Sequence, residues 1–260
     1  MNSIIKLEDL YFCSEDFEIL KKINLSIPEE KCSIIMGASG CGKSTLLKVI
    51  AGIYPPDSGN IFFKGKNFYN LSDKELLSFR KNSGFIFQDS ALWDNTSIYH
   101  NISLPLKYHF RDLSSKEIEK KINKTVKEIG FTDSLKLRPA RLSFGEKKVI
   151  SFLRAIITDP EMLFMDNPIE SMDNQYKKTL FAILNKLKQK KCTMVLVSQN
   201  SQLVSYLADY LIIVKDGEVI EVGEFNNIKK SRDNYVKAIL SKVLGEAASF
   251  DTELLDLLNE

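Results

Sequence analysis

Short apolar runs alternate with longer amphipathic stretches along this chain, and the alternation predicts an α/β protein. Residues 31–36 (KCSIIM), 84–88 (GFIFQ), 161–166 (EMLFMD), 192–198 (CTMVLVS) and 210–214 (YLIIV) are brief and rich in Ile, Val, Phe and Met. They read as strands buried on both faces, which is the signature of a largely parallel sheet. Residues 114–130 behave differently. Ile118, Ile122, Val126 and Ile129 recur there at helical spacing, and Ser114 or Ser115 with a following Glu offers a cap. The many lysines of that segment form a solvated face. No internal repeat or low-complexity linker interrupts the pattern.

Composition narrows the picture. With 260 residues and 44% hydrophobic content the chain can bury one substantial core. Lys and Arg number 36 against 34 Asp and Glu, a net charge of +2, which gives no electrostatic footprint for a nucleic-acid partner. Cys13, Cys32, Cys41 and Cys192 show neither paired nor metal-ligand spacing, and a reduced, cytosolic protein follows. The chain opens without a signal-like segment, and no apolar stretch nears the roughly 20 residues that span a bilayer. Membrane association is therefore expected to come through a partner.

The sharpest chemistry lies just after the first core strand. Gly37, Ala38, Ser39, Gly40, Cys41, Gly42, Lys43 and Ser44 satisfy G-x-x-x-x-G-K-[ST], with Thr45 opening a helical stretch over 45–51. Glycines let such a loop curl its backbone N–H groups around a phosphate, and the helix adds its positive N-terminal dipole. Lys43 would reach the β- and γ-phosphates of ATP, and the Ser44 hydroxyl would ligate Mg²⁺.

Further motifs follow in order. Gln88 ends the 84–88 strand; Leu142, Ser143, Phe144, Gly145 and Glu146 lie farther on; Asp166 ends the 161–166 strand; then come Ser171, Met172, Asp173 and the turn Lys215, Asp216, Gly217, Glu218. Together with the phosphate loop they resemble the ABC ATPases over roughly residues 4–240. The resemblance implies a P-loop NTPase core, RecA-like with a mainly parallel sheet, an antiparallel β subdomain and an α-helical signature-motif subdomain at about 89–157. It places the ATP-binding domain at 1–240 and a C-terminal helical tail at 241–260. Gln88 would be the Q-loop glutamine near Mg²⁺ and the attacking water, Asp166 the Walker B carboxylate for Mg²⁺, and residues 142–146 the signature motif. Two such chains would face each other head to tail across ATP, with Ser143 and the Gly145 backbone donating to the partner's γ-phosphate.

Two positions depart from the family pattern. Asn167 stands where a glutamate polarises the attacking water, either as a natural change or as an introduced trapping substitution, and Gln199 stands where a histidine meets the γ-phosphate. An amide cannot accept the proton, so binding should outlast turnover. Phe144 replaces the first signature glycine. The adenine-stacking aromatic expected near Ser14 is absent, with Tyr11, Phe12 and Phe17 as substitutes or core residues.

Residues 84–110 look most like the ATPases of Mla/MCE-type lipid transport. That implies an integral-membrane permease as partner, a second ATPase chain in a homo- or heterodimer, and an accessory subunit at the C-terminal tail. Leu92, Trp93, Ile98 and Tyr99 would line the permease groove, and Leu254, Leu255, Leu257 and Leu258 of the tail would clasp a neighbour or pack on their own domain. The competing reading is a nucleotide-sensing scaffold, or the degenerate half of a heterodimer, that holds ATP without repeated turnover.

Overall fold

The computed structural model describes residues 2–15 and 17–247, and only the backbone of 246–247. The four leucines of the tail lie outside the described residues. In chain order the elements are β1 (Ser3–Ser14), β2 (Phe17–Pro28), β3 (Cys32–Met36), α1 (Lys43–Ile50), β4 (Ser58–Phe63), β5 (Lys66–Asn67), α2 (Asp73–Lys81), β6 (Ser83–Ile86) and α3 (Ile98–His109). There follow α4 (Ser115–Ile129), α5 (Phe144–Ile156), β7 (Met162–Asp166), α6 (Asn174–Gln189), β8 (Thr193–Val197), α7 (Ser201–Leu207), β9 (Tyr210–Lys215), β10 (Glu218–Glu224), α8 (Phe225–Ile228) and α9 (Asn234–Ala247). The chain forms two compact units, Met1–Asn70 with Val195–Glu260, and Leu71–Met194.

In the first unit, β2-β1-β4-β5 make an antiparallel sheet. Ile5, Leu7, Leu20, Ile23, Leu25 and Ile27 are buried there, mostly alternating with more exposed neighbours, as a half-solvated sheet requires. The other strands run β10-β9-β3-β8, with β8 carrying the chain back from the second unit. β3 lies parallel to β9, from Ser33 opposite Tyr210 to Met36 opposite Ile213. Every residue of β3 is buried, which is why its sequence does not alternate. Asp216 and Gly217 both adopt positive φ, at 50° and 85°, the turn geometry that matches the twist of the β9–β10 hairpin. Val236, Leu240 and Val243 form the buried face of α9, which packs on α7.

In the second unit, β6 lies parallel to β7, from Ser83 opposite Met162 to Ile86 opposite Met165. The amphipathic helix forms as its sequence predicts, with Ile118, Ile122, Val126 and Ile129 buried. Ser114 is its cap: the hydroxyl accepts from Glu117 N while the Glu117 carboxylate accepts from Ser114 N. Gly130 ends the helix at φ 74°.

Two boundaries differ from the sequence expectation. β6 stops at Ile86, so Gln88 does not end a strand; the Phe87 carbonyl is instead held by a lysine from α5, and Gln88 is exposed. α1 begins at Lys43 rather than Thr45, because Gly42 at φ 96° caps it directly.

Candidate functional site

The phosphate loop grows out of β3. Gly37 stands at φ 153°, and a Cβ built on it would lie 2.1 Å from the Val214 carbonyl oxygen of β9, so nothing larger than hydrogen fits. The Cys41 thiol donates to the same carbonyl at 3.3 Å. Burial pushes that thiol up from its ordinary pKa against the pull of Lys43. The first bond of the α1 ladder runs from Leu46 N to Gly42 O at 2.8 Å, so the amides of Lys43, Ser44 and Thr45 lie outside the helix's own ladder, at its positive end. This is the arrangement that binds an anion. Lys43 donates to the Ala38 carbonyl, and the Gln199 side-chain amide donates to the Gly37 carbonyl. The structure thus brings residues 37–45 and Gln199 together within the first unit.

Asp166, Asn167, Gln88, Ser143 and Gly145 belong to the second unit. Asp166 ends β7 at 1% exposure. Asn167 takes the left-handed conformation at φ 47°, which asparagine tolerates better than most residues, and is followed by Pro168. Its amide donates to the Asp166 carboxylate at 3.4 Å, where a glutamate would set a second anion beside a buried one.

Lys148, on α5, is fully buried beneath this segment. Its ammonium donates to the carbonyls of Phe87 at 3.1 Å, Asn167 at 3.3 Å and Asp166 at 3.4 Å. Burial lowers its pKa, while Asp166, Glu170 and Asp89 oppose the shift. One cation therefore fixes the backbone beside Gln88 and at the end of β7. After Gln88, Ser90 and Ala91 both turn left-handed, at φ 67° and 44°, and their carbonyls accept from Arg154 at 2.9 and 2.7 Å.

Ser143 caps α5 and shares a reciprocal capping pair with Glu146, whose amide reaches the hydroxyl at 3.2 Å. Phe144 points outward at 48% exposure. Gly145 turns inward, where a Cβ would meet the Ser171 carbonyl at 2.4 Å. Among the adenine candidates, Phe12 is stacked on Tyr54 with centroids 5.5 Å apart, whereas Phe17 is 75% exposed.

The model of the ABC transporter family matches residues 20–170. The chain belongs to the ABC transporter family. An uncharacterized ABC transporter ATP-binding protein of Methanocaldococcus jannaschii is 35% identical over 78% of this chain and 90% of its own length. The intermembrane phospholipid transport ATP-binding protein MlaF of Haemophilus influenzae is 31% identical over 89% of this chain and 88% of its own. Among solved structures, the dimeric post-hydrolysis state of the ATP-binding cassette MJ0796 with ADP and Pi superposes with a TM-score of 0.77 at 27% identity, covering 85% of this chain and 98% of that one. The fold is therefore that of an ABC ATP-binding cassette.

On the second unit of this cassette lies an open groove of about 420 Å³, walled by Phe85, Trp93, Tyr108 and His109 and bordered by Arg80 and Arg154. Of Leu92, Trp93, Ile98 and Tyr99, Trp93 lines this groove, at 53% exposure. Ile98 is wholly buried in the core, and Leu92 and Tyr99 are not in its lining. Burial, with Lys81 and Arg80 nearby, lowers the pKa of His109, so a further positive charge is disfavoured beside those two cations. Lys148 and Arg154 escaped the sequence reading because their partners are main-chain carbonyls, which every residue carries. The signal for Lys148 was helical spacing, which sets it in line with the apolar Phe152 and Ala155 on α5, since lysine is almost never fully buried unless paired.

Proposed function

We propose that this cassette is the ATP-binding subunit of a membrane transporter, gripping Mg-ATP at a head-to-tail dimer interface and driving an integral-membrane permease from the cytoplasmic face. The phosphate loop carries the reading: a left-handed glycine cradle at the positive end of α1, with Lys43 and Ser44 at the positions the chemistry requires. Residues 37–45 would hold the phosphates. Ser44, Asp166 and Gln88 are oxygen donors of the hard type that magnesium takes, alongside the nucleotide's own phosphates. Ser143, with the Gly145 backbone, would complete the neighbouring chain's site. MlaF and the resemblance of residues 84–110 favour phospholipid or another hydrophobic substrate.

No described helix is long and apolar enough to cross a membrane. The aromatic groove with its arginine border suits the end of a permease helix bearing an acidic residue. Crosslinking from a cysteine placed at Trp93 is expected to capture an integral-membrane protein. Recovery of the chain wholly in the soluble fraction, with no membrane partner captured, would refute the transporter reading.

One observation favours a second reading. Asn167 donates to Asp166 rather than offering a base, which suits a cassette that holds ATP as a scaffold or as the degenerate half of a heterodimer.

A further inference from the structure

Tyr235 belongs to none of the motifs of the family pattern, yet its hydroxyl touches the phosphate loop. It accepts from the Ala38 amide at 2.9 Å and donates to the Val214 carbonyl at 3.0 Å. A hydroxyl has one proton to give and lone pairs to receive, so this bridge uses it in both senses. The Val214 carbonyl is thereby the common anchor of three loop positions. Gly37 packs on it with no room for a Cβ, Cys41 donates to it directly, and Ala38 reaches it through Tyr235.

The tyrosine is itself firmly held. Tyr235 stands in the first turn of α9, where the Asp233 carboxylate accepts from Tyr235 N at 2.8 Å and Val236 N at 3.0 Å. Asp233 N in turn donates to the Ser231 hydroxyl at 3.2 Å, and that hydroxyl donates to Glu221 on β10. The Lys215 ammonium lies 5.3 Å from the centre of the ring. The inner face of α9 packs on α7, and the first turn of the helix ends on the phosphate loop through Tyr235.

We infer that Tyr235 is a positioning residue of the phosphate loop, tying the loop's entry to the end of β9 so that a displacement of α9 changes the grip on nucleotide. The inference rests on the loop being the nucleotide site. Its structural half can be tested without nucleotide.

The test uses Tyr235→Phe in the full chain, with the exposed Cys13 changed to serine in all proteins. Labelling of Cys41 by a small thiol reagent under native conditions is followed peptide by peptide, with the buried Cys32 and Cys192 as controls. Losing the hydroxyl bridge is expected to speed Cys41 labelling about tenfold and to leave the two controls unchanged. The dissociation constant for Mg-ATP is expected to rise about three- to tenfold. An unchanged Cys41 rate would overturn the tie. A parallel rise at all three thiols would overturn it too, because the substitution would then be loosening the whole protein. A faster Cys41 with undiminished ATP affinity would overturn the link to nucleotide. If the unsubstituted chain failed to bind Mg-ATP, the functional reading would fall while the Cys41 contrast still reported on the tie.

Discussion

The phosphate loop and the segment around Asp166 differ in how much of the family pattern they keep, not in how firmly they are held. At the loop, each position of the pattern carries its expected residue, and four of them are tied within the same unit: Gly37 and Cys41 on Val214, Ala38 on Tyr235, Lys43 on the Ala38 carbonyl. Around Asp166 the scaffold is equally firm, held from beneath by the buried Lys148 and flanked by the Arg154 fork on Ser90 and Ala91. There, on the function proposed above, the difference lies in the reacting group, with the Asn167 amide where a carboxylate would act. Gripping a phosphate needs charge and oriented N–H groups before any proton moves, whereas turnover needs an acceptor for one proton. A chain can keep the first and give up the second without disturbing its fold.

The largest expected effect breaks that contrast outright. Asn167→Glu returns a base, and phosphate release under saturating Mg-ATP should rise about 10²-fold or more, with Gln199→His adding a further increase in the double variant. Turnover of several per second by the unmodified chain, free of any other ATPase, would show that Asn167 limits nothing. If the chain is slow and Asn167→Glu leaves it slow, Phe144 at the signature becomes the residue to change. Lys43→Ala acts on the other side of the contrast. Its removal should weaken Mg-ATP binding about a hundredfold in a calorimetric titration, and equal affinity would sink the nucleotide assignment. The smallest effect sharpens the comparison by separating scaffold from loop. Lys148→Met leaves three carbonyls without their donor while keeping apolar bulk, so denaturant unfolding should register a loss of about 2 kcal/mol. Nucleotide affinity at the loop should stay unchanged, and a stability loss below about 0.5 kcal/mol would mean that Lys148 holds little in place.

Much of this was legible in the sequence, for identifiable reasons. Runs such as 161–166 and 210–214 fell within a residue of β7 and β9, because each buried run is continuously apolar until a charged residue, Asp166 or Lys215, marks its end. The 114–130 helix was readable down to its cap, since the Ser114–Glu117 pair is a local bond between residues close in sequence. What stayed hidden acts over long separations through the main chain. The Arg154 grip on Ser90 and Ala91, the Lys148 bonds to Phe87, Asp166 and Asn167, and the Tyr235 bridge to Ala38 and Val214 all end on backbone atoms. No residue type marks a backbone partner. The early end of β6 has the same origin, since the carbonyl that Lys148 takes is that of Phe87. Trp93 and Ile98 looked alike as large apolar residues, and only packing separated the groove wall from the core.

That Pro168 follows Asn167 bears on ageing rather than on catalysis. Asparagine side chains hydrolyse spontaneously over time when the backbone nitrogen of the next residue attacks the side-chain carbonyl and closes a five-membered imide. The next residue here is Pro168, whose ring nitrogen carries no hydrogen and cannot form that imide. The fast route by which an amide drifts into an acid is closed at this position. An old molecule of this protein therefore keeps the uncharged side chain next to Asp166 far longer than imide formation would allow, since only the much slower direct hydrolysis of the amide is left.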